Sequence, residues 1–222
     1  MNILIYGSSG MIGQGVLREC LKADDVESVT AVRRSPLNEK HPKLDQVVSE
    51  KLTFTLPGKN DAGNWDACFF CLGASSSGMT EEQYNRLTFS LTLDVAAHLM
   101  RLSPGMTFIY VSAAGADTSE TGKSMWARIK GKTENALFRQ GFSSVVVFRP
   151  GVIQPLHGIR SRTPSYRFLY CMMAPVLPML KRMMPDSILT TEEIGRAMLN
   201  AVRYNCSNVV LEKEDISRLA RK

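Results

Sequence analysis

The chain has 222 residues, with 27 Lys and Arg against 21 Asp and Glu for a net charge of +6, and 44% of it is hydrophobic. That length supports a real core, and a charged fraction of 22% with nine Phe, six Tyr and two Trp excludes a disordered or low-complexity chain, because buried apolar surface can offset the entropy of ordering. The positive charges fall in short clusters (Arg33-Arg34, Lys130 with Lys132, Arg160 with Arg162, Lys181-Arg182, Arg221-Lys222) and not in one block, which favours a site for an anionic cofactor over a nucleic-acid surface.

In chain order, an apolar strand at 2–6 opens the sequence without the basic leader of a signal peptide. It runs into a glycine-rich turn and a helix over 11–22. Strands follow at 28–32, 67–72, 107–112, 145–149 and 208–211, with helices over 80–102, 124–139 and 191–204 between the later ones. Thr80 is the N-cap of the second helix, with Gln83 in capping-box position, and Ser103-Pro104-Gly105 stops it. Gly141 ends the third helix, and Thr191 with Glu192 and Glu193 opens the fourth. Continuous apolar runs such as Val145-Val146-Val147-Phe148 suit strands buried on both faces. The expected fold is α/β: a doubly wound, Rossmann-like parallel sheet with helices on both faces, forming a single domain over 1–222. Within it, the Pro- and Met-rich stretch 152–189 forms a small irregular subdomain on the substrate side, and 212–222 is a surface helix or frayed tail.

Five cysteines make no even framework, which suits a reducing compartment. Cys68 and Cys71 form a C-x-x-C, but on a strand residues three apart point to opposite faces, so core packing is the reading and not a metal or redox pair. His41, His98 and His157 lack ligand spacing, and no metal is expected. The longest apolar stretch, 168–180, is too short to span a bilayer and contains two prolines. These absences point to a cytoplasmic protein without a transmembrane segment.

The strongest motif is Gly7-Ser8-Ser9-Gly10-Met11-Ile12-Gly13 between the first strand and helix. Glycines there permit a tight turn and close approach of a pyrophosphate, which the free N–H groups and helix dipole stabilise. Twenty residues beyond Gly13, where an acidic residue would bind the ribose of NAD, stand Arg33 and Arg34. Guanidinium groups match a phosphate, so NADP(H) is expected in preference to NAD(H).

Gly7 to Gly13, Val32-Arg33-Arg34, Cys71-Leu72-Gly73, Tyr110-Val111-Ser112-Ala113-Ala114-Gly115-Ala116-Asp117, Lys130-Gly131-Lys132-Thr133-Glu134 and Phe148-Arg149-Pro150-Gly151-Val152 occur in one order along the chain. Together they resemble an atypical short-chain dehydrogenase/reductase, in the NAD(P)H-binding, epimerase-like group that includes the Tat-interacting-protein oxidoreductase. The resemblance implies that Leu72, Gly73 and Ala74 pass under the cofactor and that Pro150, Gly151 and Val152 lie near the nicotinamide. It also implies that Ser112 polarises a carbonyl and that Lys130 holds the nicotinamide ribose and tunes a catalytic tyrosine four residues earlier. That position is Trp126, whose indole N–H donates a hydrogen bond but is no proton acid. Tyr110, Tyr166, Tyr170 or a water held by Ser112 and Lys130 are substitutes that no spacing rule selects. Two readings follow: an NADP(H)-dependent oxidoreductase or epimerase-like enzyme on a small carbonyl substrate, or a catalytically impaired cofactor-binding sensor or protein-interaction module. A homodimer or a protein partner is compatible with either.

Overall fold

The structure, a computed structural model, describes residues 1–36, 39–50, 52, 65–159, 177–183 and 186–222. Strand β1 (Asn2–Tyr6) leads through the glycine turn into α1 (Met11–Lys22) and β2 (Ser28–Arg33), followed by β3 (Leu44–Val48) and β4 (Ala67–Phe70). Helices α2 (Glu81–Asn85) and α3 (Leu91–Leu102) are joined by a π-helical turn at Arg86–Ser90, and β5 (Thr107–Val111), α4 (Met125–Phe138) and β6 (Ser144–Arg149) come next. The chain closes with β7 (Val152–Gln154), α5 (Leu177–Met183), β8 (Ile188–Thr190), α6 (Thr191–Arg203), β9 (Val209–Glu212) and α7 (Lys213–Ala220).

Seven strands form one parallel sheet in the order β3-β2-β1-β4-β5-β6-β9, and β7 pairs with β8 in a small parallel ribbon. The α/β doubly wound reading therefore holds. Side-chain alternation along each strand splits the core in two. Ile3, Ile5, Phe69, Ile109 and Phe148 meet α1, α6 and α7 on one face, while Leu4, Tyr6, Phe70, Phe108 and Val147 meet α3 and α4 on the other. Cys68 joins the second cluster and Cys71 packs against the first, so the C-x-x-C residues stand on opposite faces of the sheet.

Helices α1 and α6 approach closely because each presents a glycine. A Cβ on Gly15 would lie 2.6 Å from the Thr191 carbonyl oxygen, and one on Gly195 would lie 2.8 Å from Glu19. The Thr80–Gln83 capping box forms as expected, with reciprocal bonds of 3.3 and 3.0 Å. At α6 the cap is Thr190 and not Thr191: Thr190 and Glu193 exchange bonds of 3.0 and 2.7 Å, while Thr191 is buried against α1.

Three strands escape a periodicity reading. Edge strand β3 carries Asp45 and Gln46 and stays half exposed, so it shows no apolar run, and β7 and β8 have only three residues each. The segment after β9 is an ordered helix, since Ile216 and Ser217 are fully buried and Leu219 joins the core. Of the 152–189 stretch, β7, α5 and β8 are described. Tyr166, Tyr170, Cys171 and the Met172-Met173 pair lie outside the described residues.

The sheet order reverses between β1 and β4, because β1 is flanked by β2 on one side and β4 on the other. In such sheets a crevice opens beyond the carboxyl ends of the strands at that point.

Candidate functional site

A cleft of about 790 Å³ lies at that switch point, lined by residues from the glycine turn, the ends of β4, β5 and β6, and one side of α4. Its floor at the first end is main chain. Gly7 has φ of +77°, and a Cβ there would sit 2.7 Å from the Cys71 carbonyl oxygen, so the turn packs directly on the end of β4. A Cβ on Gly13 would lie 2.1 Å from the Gly7 carbonyl oxygen, which only a hydrogen permits. Gly10 is the N-cap of α1 and supplies no side-chain cap, and the first turn of α1 has no acidic residue. The amino end of α1 thus keeps its N–H groups and positive dipole end available to an anion. Ser8 is fully buried in the same turn, with an Oγ that has no hydrogen-bond partner. Close backbone approach, uncapped N–H groups and an orphan hydroxyl are the features a pyrophosphate cradle needs.

Of the residues singled out in the sequence, Gly7, Ser9, Gly10, Met11, Ile12, Arg34, Leu72, Gly73, Ala74, Ser112, Lys130, Pro150, Gly151 and Val152 line this cleft. Gly13 and Ser8 support the turn from behind. The two arginines part company: Arg34 is exposed on the cleft rim, whereas the Arg33 side chain is 8% exposed and lies away from the lining.

The second end is built from side chains. Ser112 follows β5 and is buried, and its hydroxyl donates to Oε1 of Glu134, a fully buried carboxylate on α4. Glu134 is held in turn by Arg149 from β6, whose Nε bonds Oε1 at 3.1 Å and whose second guanidinium nitrogen bonds Oε2. Arg149 reaches on to Glu212 of β9 at 3.1 Å. Four elements are tied together by this Ser112–Glu134–Arg149–Glu212 chain, and the Glu134 hydrogen bond holds the Arg149 guanidinium above its ordinary pKa.

Lys130, one turn before Glu134, is also buried. Its Nζ donates to the Tyr110 hydroxyl at 3.0 Å and to the Val111 carbonyl at 3.1 Å, and lies 4.8 Å from the Tyr110 ring centroid. Burial pushes its pKa from 10.5 down to about 8, against an upward pull from Glu134. That carboxylate is already matched by Arg149, which leaves Lys130 weakly compensated. Helix α4 can sit this close because Lys130 is followed by glycine: a Cβ on Gly131 would lie 1.8 Å from the Asp117 carbonyl oxygen.

Trp126 and Tyr84 form the remaining walls near Ser112. Trp126 is half-buried, with its Cη2 3.5 Å from where a Cβ on Gly115 would stand. Tyr110 meets Lys130 but is fully buried and outside the cleft lining, and burial raises its pKa, so it supports the lysine and is not itself presented to a ligand. Sequence reasoning passed over Tyr84 and the Glu134–Arg149 pair. Glu134 was visible in the Lys130-to-Glu134 motif as the residue one helical turn after Lys130.

Sequence comparisons find relatives of moderate similarity. The FMP52 protein of Eremothecium gossypii is 28% identical over 155 residues, covering 69% of this chain and 66% of that protein. HTATIP2 of Rattus norvegicus is 26% identical over 154 residues, covering 68% of this chain and 62% of that protein. The chain thus spans about two thirds of the length of these relatives. Among solved structures, the enzyme WbmF of Bordetella bronchiseptica in complex with NAD+ superposes with a TM-score of 0.66 at 15% identity, over 99% of this chain and 76% of that one. A short-chain dehydrogenase/reductase of Saccharomyces cerevisiae gives 0.64 at 15% identity, over 99% and 98%. The resemblance to atypical short-chain dehydrogenases/reductases stands. No family model matches the chain.

One expectation is corrected here. The FMP52 proteins of Eremothecium gossypii, Debaryomyces hansenii and Aspergillus oryzae are named mitochondrial, which contradicts the cytoplasmic reading. A cellular address is read by receptors and is not imposed by the fold, so composition and apolar patterning were a poor guide to it. Among the described residues no helix is long and apolar enough to cross a membrane, and no group of three or more His, Cys, Asp or Glu is placed to hold a metal ion.

Proposed function

We propose that the chain is an NADP(H)-binding oxidoreductase of the short-chain dehydrogenase/reductase type, acting on a small carbonyl or sugar-like substrate. The reading is carried by one continuous cleft that joins the Gly7–Gly13 turn to Ser112 and Lys130. In it, the α1 amino end holds the pyrophosphate, and Arg34 at the rim pairs with a ribose phosphate. Leu72, Gly73 and Ala74 pass beneath the cofactor, while Pro150, Gly151 and Val152 flank the nicotinamide. The bound cofactor supplies or accepts hydride. Ser112 and Lys130 meet the reacting oxygen, and Trp126 and Tyr84 screen it from water.

The test is calorimetric titration of cofactor-stripped protein with NADPH and NADH in parallel. Tighter binding of NADPH by about tenfold, a difference of about 1.4 kcal/mol, is the expected outcome. NADH binding as tightly sinks the NADP preference, and binding of neither sinks the reading.

Trp126 in the cleft wall favours a second reading, a cofactor-binding sensor that has lost its proton donor. Under it the protein binds NADPH without turnover, and Trp126→Tyr gains reductase activity.

A further inference from the structure

The cleft contains Trp126 where its relatives are expected to present a phenol, so the source of the reaction's proton is open. We propose that Lys130 is itself the acid–base group of this site, giving its Nζ proton directly to the substrate carbonyl oxygen, and that Glu134 keeps Ser112 an acceptor, which takes a hydrogen bond from the hydroxyl once that oxygen is protonated. The inference rests on the cofactor-binding reading above.

Three observations carry it. First, Nζ has three N–H bonds, two of which go to the Tyr110 hydroxyl and the Val111 carbonyl, so one is left over, and Lys130 lines the cleft. Second, the Ser112 hydroxyl gives its proton to Glu134. A carboxylate clamped by Arg149 can only accept, so Ser112 cannot donate to a carbonyl while that bond stands. Its lone pairs are left for a substrate hydroxyl. Third, the Tyr110 phenol is sealed in the core and already receives the Lys130 proton contact, so it is not the donor.

The groups facing Lys130 are Glu134 on its own helix, neutralised by Arg149 of β6, and Tyr110 of β5. Tyr84 of α2 lies across the same cleft. Beside them a desolvated ammonium gives up its proton more readily than a lysine in water, with a pKa of about 8 in range for acid–base work near neutrality. The step balances: a carbonyl carbon gains hydride from a reduced nicotinamide, the C=O π pair moves to oxygen, and oxygen takes a proton from Nζ. Lys130 is left as a neutral amine, which regains its proton from water at the cleft mouth.

The experiment has two readouts. In the cofactor-free protein, NMR titration of isotopically labelled lysine, with the Lys130 resonance identified by its absence from Lys130→Arg, is expected to show a midpoint near pH 8, and a midpoint above about 10, the ordinary lysine value, overturns the proposal. In parallel, NADPH oxidation with phenanthrenequinone is followed from pH 6 to 10 for the parent, Lys130→Arg, Tyr84→Phe and Trp126→Tyr, each first checked for a cooperative melt and NADPH binding. The proposal expects parent turnover that falls as pH rises through about 8. Lys130→Arg, which keeps the charge but does not release a proton, loses turnover about 100-fold with NADPH binding within tenfold, and Tyr84→Phe keeps the parent's pH midpoint whatever its rate. Turnover kept in Lys130→Arg, a pH midpoint moved in Tyr84→Phe, or turnover seen only in Trp126→Tyr overturns it. Inertness of every variant on the probe overturns it too. A parent that binds no NADPH brings down the cofactor reading itself, and is told apart because the Lys130 midpoint is measured without cofactor. Should Lys130→Arg fail to fold, Lys130→Met replaces it in both readouts.

Discussion

The two ends of the cleft are built by opposite means. At Gly7–Gly13 the wall is main chain, shaped by residues that lack a side chain, and its affinity for anions comes from N–H groups that every residue possesses. At Ser112 and Lys130 the wall is backed by charges, the buried Lys130 and Glu134 and the partly buried Arg149, brought from α4 and β6 to the end of β5. The first end depends on shape and tolerates almost no added volume. The second depends on charge balance and tolerates almost no lost partner.

Substitutions that break this contrast are ordered by the size of their expected effect. Arg149→Met leaves Glu134 as a buried carboxylate without its counter-charge, and about 3–5 kcal/mol of stability should be lost in chemical denaturation, since breaking a buried pair strands the remaining ion. Retention of parental stability would mean that water reaches Glu134. Gly13→Ala puts a methyl against the Gly7 carbonyl, and NADPH affinity should fall about 100-fold, about 2.7 kcal/mol, while Lys130 keeps its titration midpoint. If the midpoint moves as well, the two ends are mechanically coupled.

The Lys130 charge has its own pH signature. Its folded-state pKa is lowered, so between about 8 and 10.5 the unfolded chain holds more protons than the folded one. The ammonium's burial cost is fully present below pH 8 and is relieved as pH rises. The stability difference between the parent and Lys130→Met should therefore shift in the parent's favour by about 1.4 kcal/mol per pH unit across that window. A flat difference would show a solvated ammonium. Smallest is Arg34→Ala: an exposed rim arginine should change NADPH affinity by about tenfold and leave NADH binding and the melting temperature unaltered.

The same contrast explains what could be read in advance. The glycine turn, the strand before it and the helix after it were legible because their physics is local: φ above zero, a tight turn and an uncapped amino end are written in consecutive residues. Cys68 and Cys71 were legible too, since strand alternation alone separates them. Edge strand β3 was missed because an exposed edge needs no apolar run; the start of α6 at Thr191 was legible, but Thr190 was not singled out as its cap, because Thr190 and Thr191 are chemically alike and only burial against Gly15 distinguishes them.

By itself the sequence determined the α/β alternation, the parallel doubly wound sheet and the nucleotide-type turn, all of which follow from periodicity and from residues adjacent in the chain. Only the tertiary structure decided which arginine reaches the cleft, that Ser112 gives its proton to Glu134, and that Lys130 is buried, which lowers its pKa. Each of these depends on how much water and how many counter-charges surround a group, and those come from β5, β6 and α4, segments that meet only once the chain has folded.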